Sequence, residues 1–213
     1  SVVSHPLAEE FIIPNQEISA QDGRLPKVID VMKRMKKSVG DTTALYGLIT
    51  GPLTLATHLR GSELFMDTYI EEEKVTELIN YCSEIAKTMA RLYIEAGMDV
   101  IAVVDPVISQ ISPEMFEQFL HEPLSELFAH IKEQDINSCL FVCGDATKNM
   151  EVMCNTKPDM ISIDENIDII EAKKITDAHN IVIGGNIPLT TVMLLGNQQD
   201  NSKCMVDFLE TDD

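Results

Sequence analysis

The chain contains no Trp, and aromatic residues make up only 5% of its 213 positions. Its core must therefore be aliphatic, built from Ile, Val and Leu, with 11 Met as flexible packing material. Basic residues are also scarce: 16 Lys and Arg stand against 35 Asp and Glu, for a net charge of -19. A nucleic-acid backbone needs a basic face, so nucleic acid is not expected as a partner. The same balance argues more weakly against polyanionic small molecules, and its direct use is solubility. No apolar run reaches the roughly 18 residues of a membrane span, so no membrane association is expected. Residues 1–10 lack the basic and apolar blocks of a signal peptide. CxxC, HExxH, GxGxxG and Walker motifs are all missing. The five cysteines (Cys82, Cys139, Cys143, Cys154 and Cys204) are odd in number and irregular in spacing, which fits reduced thiols in a cytoplasmic protein. The first residue is not Met and the end is abrupt, so further segments are expected beyond one or both ends.

What is present is an alternation of apolar strands and amphipathic helices. Pro26 opens a helix over 26–38 that runs into Gly40. The run ALYGLIT (44–50) reads as a buried strand, and Gly51-Pro52 turns it into a helix. Apolar residues at three- and four-residue spacing predict a long helix over 70–96, stopped by Gly97. DVIAVVDP (99–106) is a second strand. Ser112 and Pro113 then start a helix that runs to about Glu133. Strands at 138–144, 159–164 and 180–186 follow, with helices near 147–155, 167–178 and from about 188. Strands apolar on both faces and separated by helices imply a parallel sheet with covered faces. A doubly wound sheet and a closed barrel both satisfy this, and the lack of a nucleotide-binding loop favours the barrel. Residues 1–213 are read as one partial α/β barrel domain with five β/α units.

In such a barrel the C-terminal strand ends share one rim, where active sites sit. The rim here collects Thr50-Gly51-Pro52, Asp105-Pro106, Cys143-Gly144-Asp145, Asp164-Glu165-Asn166 and Gly185-Asn186. Asp105, Asp164 and Glu165 are the candidate catalytic groups, and Asn186 a candidate substrate-binding group. Each also has a bland reading, since Asp and Asn at strand ends cap helices or form Asx-turns, Asp145 and Thr147 above all. Adjacent carboxylates at Asp164 and Glu165 should repel and raise one pKa. Cys143 is the thiol placed for chemistry; Cys139 points the same way lower in the barrel, and Cys154 and Cys204 are packing. His58, one to two turns past Gly51-Pro52, could lean over the rim as a substrate-binding group, or be a surface histidine.

The ordered set GPLTLA (51–56), EAGMDVI (95–101), Asp105-Pro106, ISPEMF (111–116), Cys143-Gly144, ISID (161–164) and Gly185-Asn186 resembles the uroporphyrinogen decarboxylase superfamily. The resemblance covers about residues 20–210 and implies a distorted (β/α)8 barrel, often a homodimer. It also implies one of two chemistries. Its decarboxylases act on tetrapyrrole carboxylates without a cofactor and use a Tyr and a Ser, where this chain has His58 and Pro106; their arginine cluster, Asp and late His find no match. Its methyltransferases take a methyl group from a methylated corrinoid protein and pass it to a small-molecule acceptor such as a thiol. They bind zinc through His-x-Cys and a later Cys. Cys143 matches the first Cys, so it is the candidate metal ligand, while Phe141 stands in the His position. A zinc site would then need another ligand, such as Asp164 or Glu165. The resemblance points to a corrinoid-dependent methyltransferase-like enzyme, with uroporphyrinogen decarboxylation and a non-catalytic corrinoid-protein partner as alternatives.

Overall fold

The computed structural model describes residues 4–209. Helix α1 (Leu25–Val39) is followed by β1 (Tyr46–Thr50), α2 (Pro52–Arg60), α3 (Leu64–Ile70) and α4 (Glu72–Glu95). Then come β2 (Val100–Val104), α5 (Pro113–Phe119), α6 (His121–Lys132), β3 (Asn137–Val142), α7 (Met150–Asn155), β4 (Met160–Ile163), α8 (Ile169–Ala178), β5 (Val182–Gly184) and α9 (Gln198–Leu209). All five expected strands are present. They pair in parallel in strictly sequential order, β1-β2-β3-β4-β5. A doubly wound sheet reverses its strand order partway, whereas a barrel wall does not. The sheet is therefore barrel-like, and within the described residues it remains open. No helix among the described residues is long and apolar enough to cross a membrane.

Alternation along the strands separates two faces. Gly47, Ile49, Ile101, Val103, Leu140, Val142, Ile161 and Ile163 point outward and join the helices in one buried core. A Cβ on Gly47 would come within 3.0 Å of the Tyr93 ring, so the small residue lets α4 sit close on β1. The inner face carries the row Leu48, Ala102, Cys139, Met160, Val182. Its edge members Leu48 and Val182 are 56% and 58% exposed, while Ala102 and Cys139 are nearly sealed. That gradient is what the concave side of a curled sheet shows.

Three helical readings are corrected. The helix expected from Ser112 to Glu133 is two helices, broken at Leu120 (φ -116°). Pro123 has no N–H for the Phe119 carbonyl, and its ring would strike that carbonyl in a continuous helix. Ser112 does cap α5, accepting from Met115 N at 3.3 Å. The expected helix from 188 is a π-helical turn, Leu189–Leu194, and then α9. Asn197 Oδ1 starts α9 by accepting from Gln199 N and Asp200 N. Helix α3, in a stretch left unassigned by periodicity, is anchored by the Arg60–Asp67 ion pair at 2.6 Å. Arg60 also donates to the Leu7 and Ala8 carbonyls, tying the N-terminal segment to the C-terminal end of α2.

Candidate functional site

The strand ends divide by parity. Val104 lies on the inner face in the row Thr50, Val104, Phe141, Ser162, Gly184. Asp105, one residue later, turns the other way, beneath α2, and is fully buried. Its Oδ2 accepts from Leu53 N at 3.0 Å, and its Oδ1 from Thr54 N at 2.8 Å and Thr54 Oγ1 at 2.5 Å. Helix α2 begins with Gly51 as N-cap and Pro52 inside it, so it has no capping side chain of its own. Asp105 supplies the cap from the neighbouring strand. Gly51 must stay bare for this, because a Cβ there would fall 2.4 Å from Asp105 Oδ2. Burial pushes the Asp105 carboxyl up to about 6, against the pull of the three hydrogen bonds.

Cys143 and Asp164 have the inner parity, each two residues beyond the Phe141–Ser162 row. Both are half-buried. The Gly144 N–H, followed by Asn166, holds the Asp164 carboxyl below its ordinary value. The expected raised carboxylate is therefore not at Asp164. Glu165 turns away from it, and its carboxylate accepts from Leu189 N at the start of the π turn. Burial pushes the Cys143 thiol up, with the Asp164 charge adding to it. Asn186 Nδ2 donates to the Asp164 and Ile167 carbonyls at 3.1 and 2.6 Å and so braces the turn that carries Asp164. Cys139 Sγ lies 3.3 Å from Ser162 Oγ, lower on the same face as Cys143. Asp145 accepts from Thr147 N and Oγ1 in an Asx-turn.

The structure thus gathers Cys143, Asp164 and Asn186 at the β3–β5 ends, with Glu165 beside them. It does not bring His58 there. That residue is exposed near the C-terminal end of α2, about 9 Å down the helix from the Asp105 cap. Its carbonyl accepts from His5 Nδ1 at 2.9 Å, on the side of the N-terminal segment.

A structural zinc ion takes four ligands and a catalytic one takes three from protein. Among the described residues no three His, Cys, Asp or Glu side chains come together to hold a metal. Cys143 has Asp164 beside it, but Asp164 is committed to Gly144 and Asn166, and Phe141 has no donor atom. These residues do not make a zinc site.

Sequence reasoning missed two buried polar residues, Thr54 and Asn149. Thr54 had a signal: a Gly-Pro helix start without its own cap needs an acceptor from elsewhere. Asn149 Nδ2 donates to Ile108 O and Ile111 O, partners 41 and 38 residues away, and nothing local announces it.

Residues 2–212 match the uroporphyrinogen decarboxylase (URO-D) family. The methylcobamide:CoM methyltransferase MtbA of Methanosarcina acetivorans is 29% identical over 90% of this chain and 57% of its own length. The uroporphyrinogen decarboxylase of Trichodesmium erythraeum is 25% identical over 93% of this chain and 57% of its own. A solved methyltransferase from Methanosarcina mazei superposes with a TM-score of 0.87 at 24% identity, over 98% of this chain and 62% of that one. The chain therefore spans between half and two thirds of the length of these relatives. With the motifs, the sequential sheet and a family match over nearly every residue in agreement, this chain belongs to the uroporphyrinogen decarboxylase family.

Proposed function

We propose that this protein is a methyltransferase-like enzyme that moves a methyl group from a methylated corrinoid protein to a small-molecule acceptor, in the cytoplasm and as a homodimer. The observation that carries this reading is the Cys143 thiol, half-buried on the inner face beside the Asp164 carboxylate. The name of the relative from Methanosarcina acetivorans supports it. Decarboxylation is disfavoured by charge. A polycarboxylate needs cations around it, and this rim offers Asp164 and Glu165 in a chain of net charge -19. Pro106 and the distant His58 occupy the positions of the decarboxylase Ser and Tyr.

The corrinoid supplies an electrophilic methyl group, and the residues here orient what attacks it. Asp164 is ionised at neutral pH and can accept a hydrogen bond from the acceptor. It is too weak a base to deprotonate a thiol, because its carboxyl is held below the ordinary carboxylate range and a thiol ionises far above that range. The acceptor must therefore arrive activated by another group or be something other than a free thiol. Cys143 packs against that acceptor above the Phe141 floor. Glu165 holds the 189–194 turn beside it, Asn186 braces Asp164, and Asp105 fixes α2 from below. Phe141 favours a second reading as well, a non-catalytic protein that binds a corrinoid partner.

The test incubates full-length protein with methylcobalamin and candidate acceptors and follows loss of the methyl–cobalt absorbance. Demethylation that disappears in Cys143→Ala supports the proposal. Turnover of uroporphyrinogen overturns it. Binding of a corrinoid protein with no turnover selects the second reading.

A further inference from the structure

We propose that Asn149 is a positioning residue for the Cys143 thiol, clipping the loop after β3 to the loop after β2. Asn149 is fully buried at the far end of the turn that Cys143 begins. Its Nδ2 donates to Ile108 O at 2.7 Å and Ile111 O at 3.0 Å, both in the loop after β2. Its own N–H donates to Ala146 O at 2.8 Å, closing the turn on the buried Ala146. The near end passes close against the same loop. A Cβ on Gly144 would lie 2.9 Å from Ser109 Oγ, and that hydroxyl is held by Pro106 O at 2.8 Å. The loop after β2 is itself anchored, through Ile108 N on Asp105 O and Val107 N on Thr54 Oγ1. Cys143 therefore sits in a segment tied at its far end to, and close-packed at its near end against, a loop that rests on the Asp105 cap.

The orphan atom argues that the amide is there for its donors. Asn149 Oδ1 is buried with no partner among the described residues. An apolar side chain of the same size would fill the space without that unmet oxygen, so packing alone does not call for Asn. The two bonds to Ile108 and Ile111 do.

That the positioned thiol meets a methyl acceptor rests on the proposed function; the clip does not. The experiment measures iodoacetamide labelling of Cys143 in the full-length protein, read by peptide mass spectrometry, with half-buried Cys204 as internal control. Asn149→Leu should speed Cys143 labelling roughly tenfold, the loss of two hydrogen bonds, and leave Cys204 unchanged. Hydrogen exchange should rise together in 106–111 and 143–149. Asn149→Ser keeps one donor, so its labelling should fall between Leu and wild type, and it serves if the Leu variant does not fold. Thr147→Val removes a bond on the exposed side of the same turn and should change nothing. Folded Asn149 variants that label Cys143 at the wild-type rate overturn the proposal. Labelling uses no substrate, so a protein without methyl transfer sinks the functional reading alone, and an unchanged labelling rate sinks the clip alone.

Discussion

At the β2 end of the rim, Asp105 is sealed under α2 with both oxygens taken by the helix, and burial lifts its pKa to about 6. At the β4 end, Asp164 is half-buried on the open concave face, and backbone donors hold its pKa down. Two aspartates at equivalent strand ends thus do opposite work. One residue of strand parity decides it, because the outward position meets a helix start in need of an acceptor and the inward position meets the open concave face. A strand-end carboxylate is assigned to chemistry only after its parity is known.

The sharpest break of this comparison is truncation. Asp105→Ala leaves Leu53 N, Thr54 N and Thr54 Oγ1 buried without their acceptor and should destabilise by about 4 kcal/mol. Asp164→Ala should lose well under that in urea unfolding; equal losses would erase the distinction.

The next effect is pH dependence, with opposite signs at the two sites. Asp105 binds its proton more tightly folded than unfolded, so its contribution is present below 3.8 and lost as pH rises to about 6. The amount is on the order of 3 kcal/mol. The Asp164 contribution is present above 3.8 and lost as pH falls through its lowered value. Urea midpoints across this range should show that Asp105→Asn removes the decline between 3.8 and about 6 while Asp164→Asn leaves it intact.

Smaller again is the contrast between glycines. Gly51→Ala drives a Cβ to 2.4 Å from the fixed Asp105 carboxylate and should destabilise by about 2 kcal/mol. Gly144→Ala meets one side-chain hydroxyl, Ser109 Oγ at 2.9 Å, rather than a carboxylate held by three donors, and its main penalty is φ +86°, about 1 kcal/mol. Calorimetry of both variants orders them. The smallest stability effect is at Cys143. Cys143→Ser should shift unfolding by no more than about 0.5 kcal/mol while it lowers methyl transfer. A large loss of stability there would make Cys143 a core residue.

The strands were legible because apolar runs such as VIAVV and the regular helical spacing between them carry the barrel pattern directly. The break at Leu120 was missed although its signal was present, since Pro123 forbids the continuous helix that the apolar spacing suggested. Cys143 and Asp164 could be placed on the rim. Their separation from Asp105 required the observed strand registers, because the sequence does not show which face α2 covers. Asn149 lay beyond reach, as its partners are nonlocal carbonyls that any residue type supplies.

The sequential strand order also bears on how the chain acquires its shape. Each strand pairs with the one made just before it, across separations of 54, 37, 21 and 22 residues from Tyr46↔Val100 to Met160↔Val182. Closing the longest of these loops rather than the shortest differs by only about 0.8 kcal/mol of chain entropy. Every pairing is thus nearly equally accessible to a growing chain, and assembly can proceed strand by strand behind the ribosome.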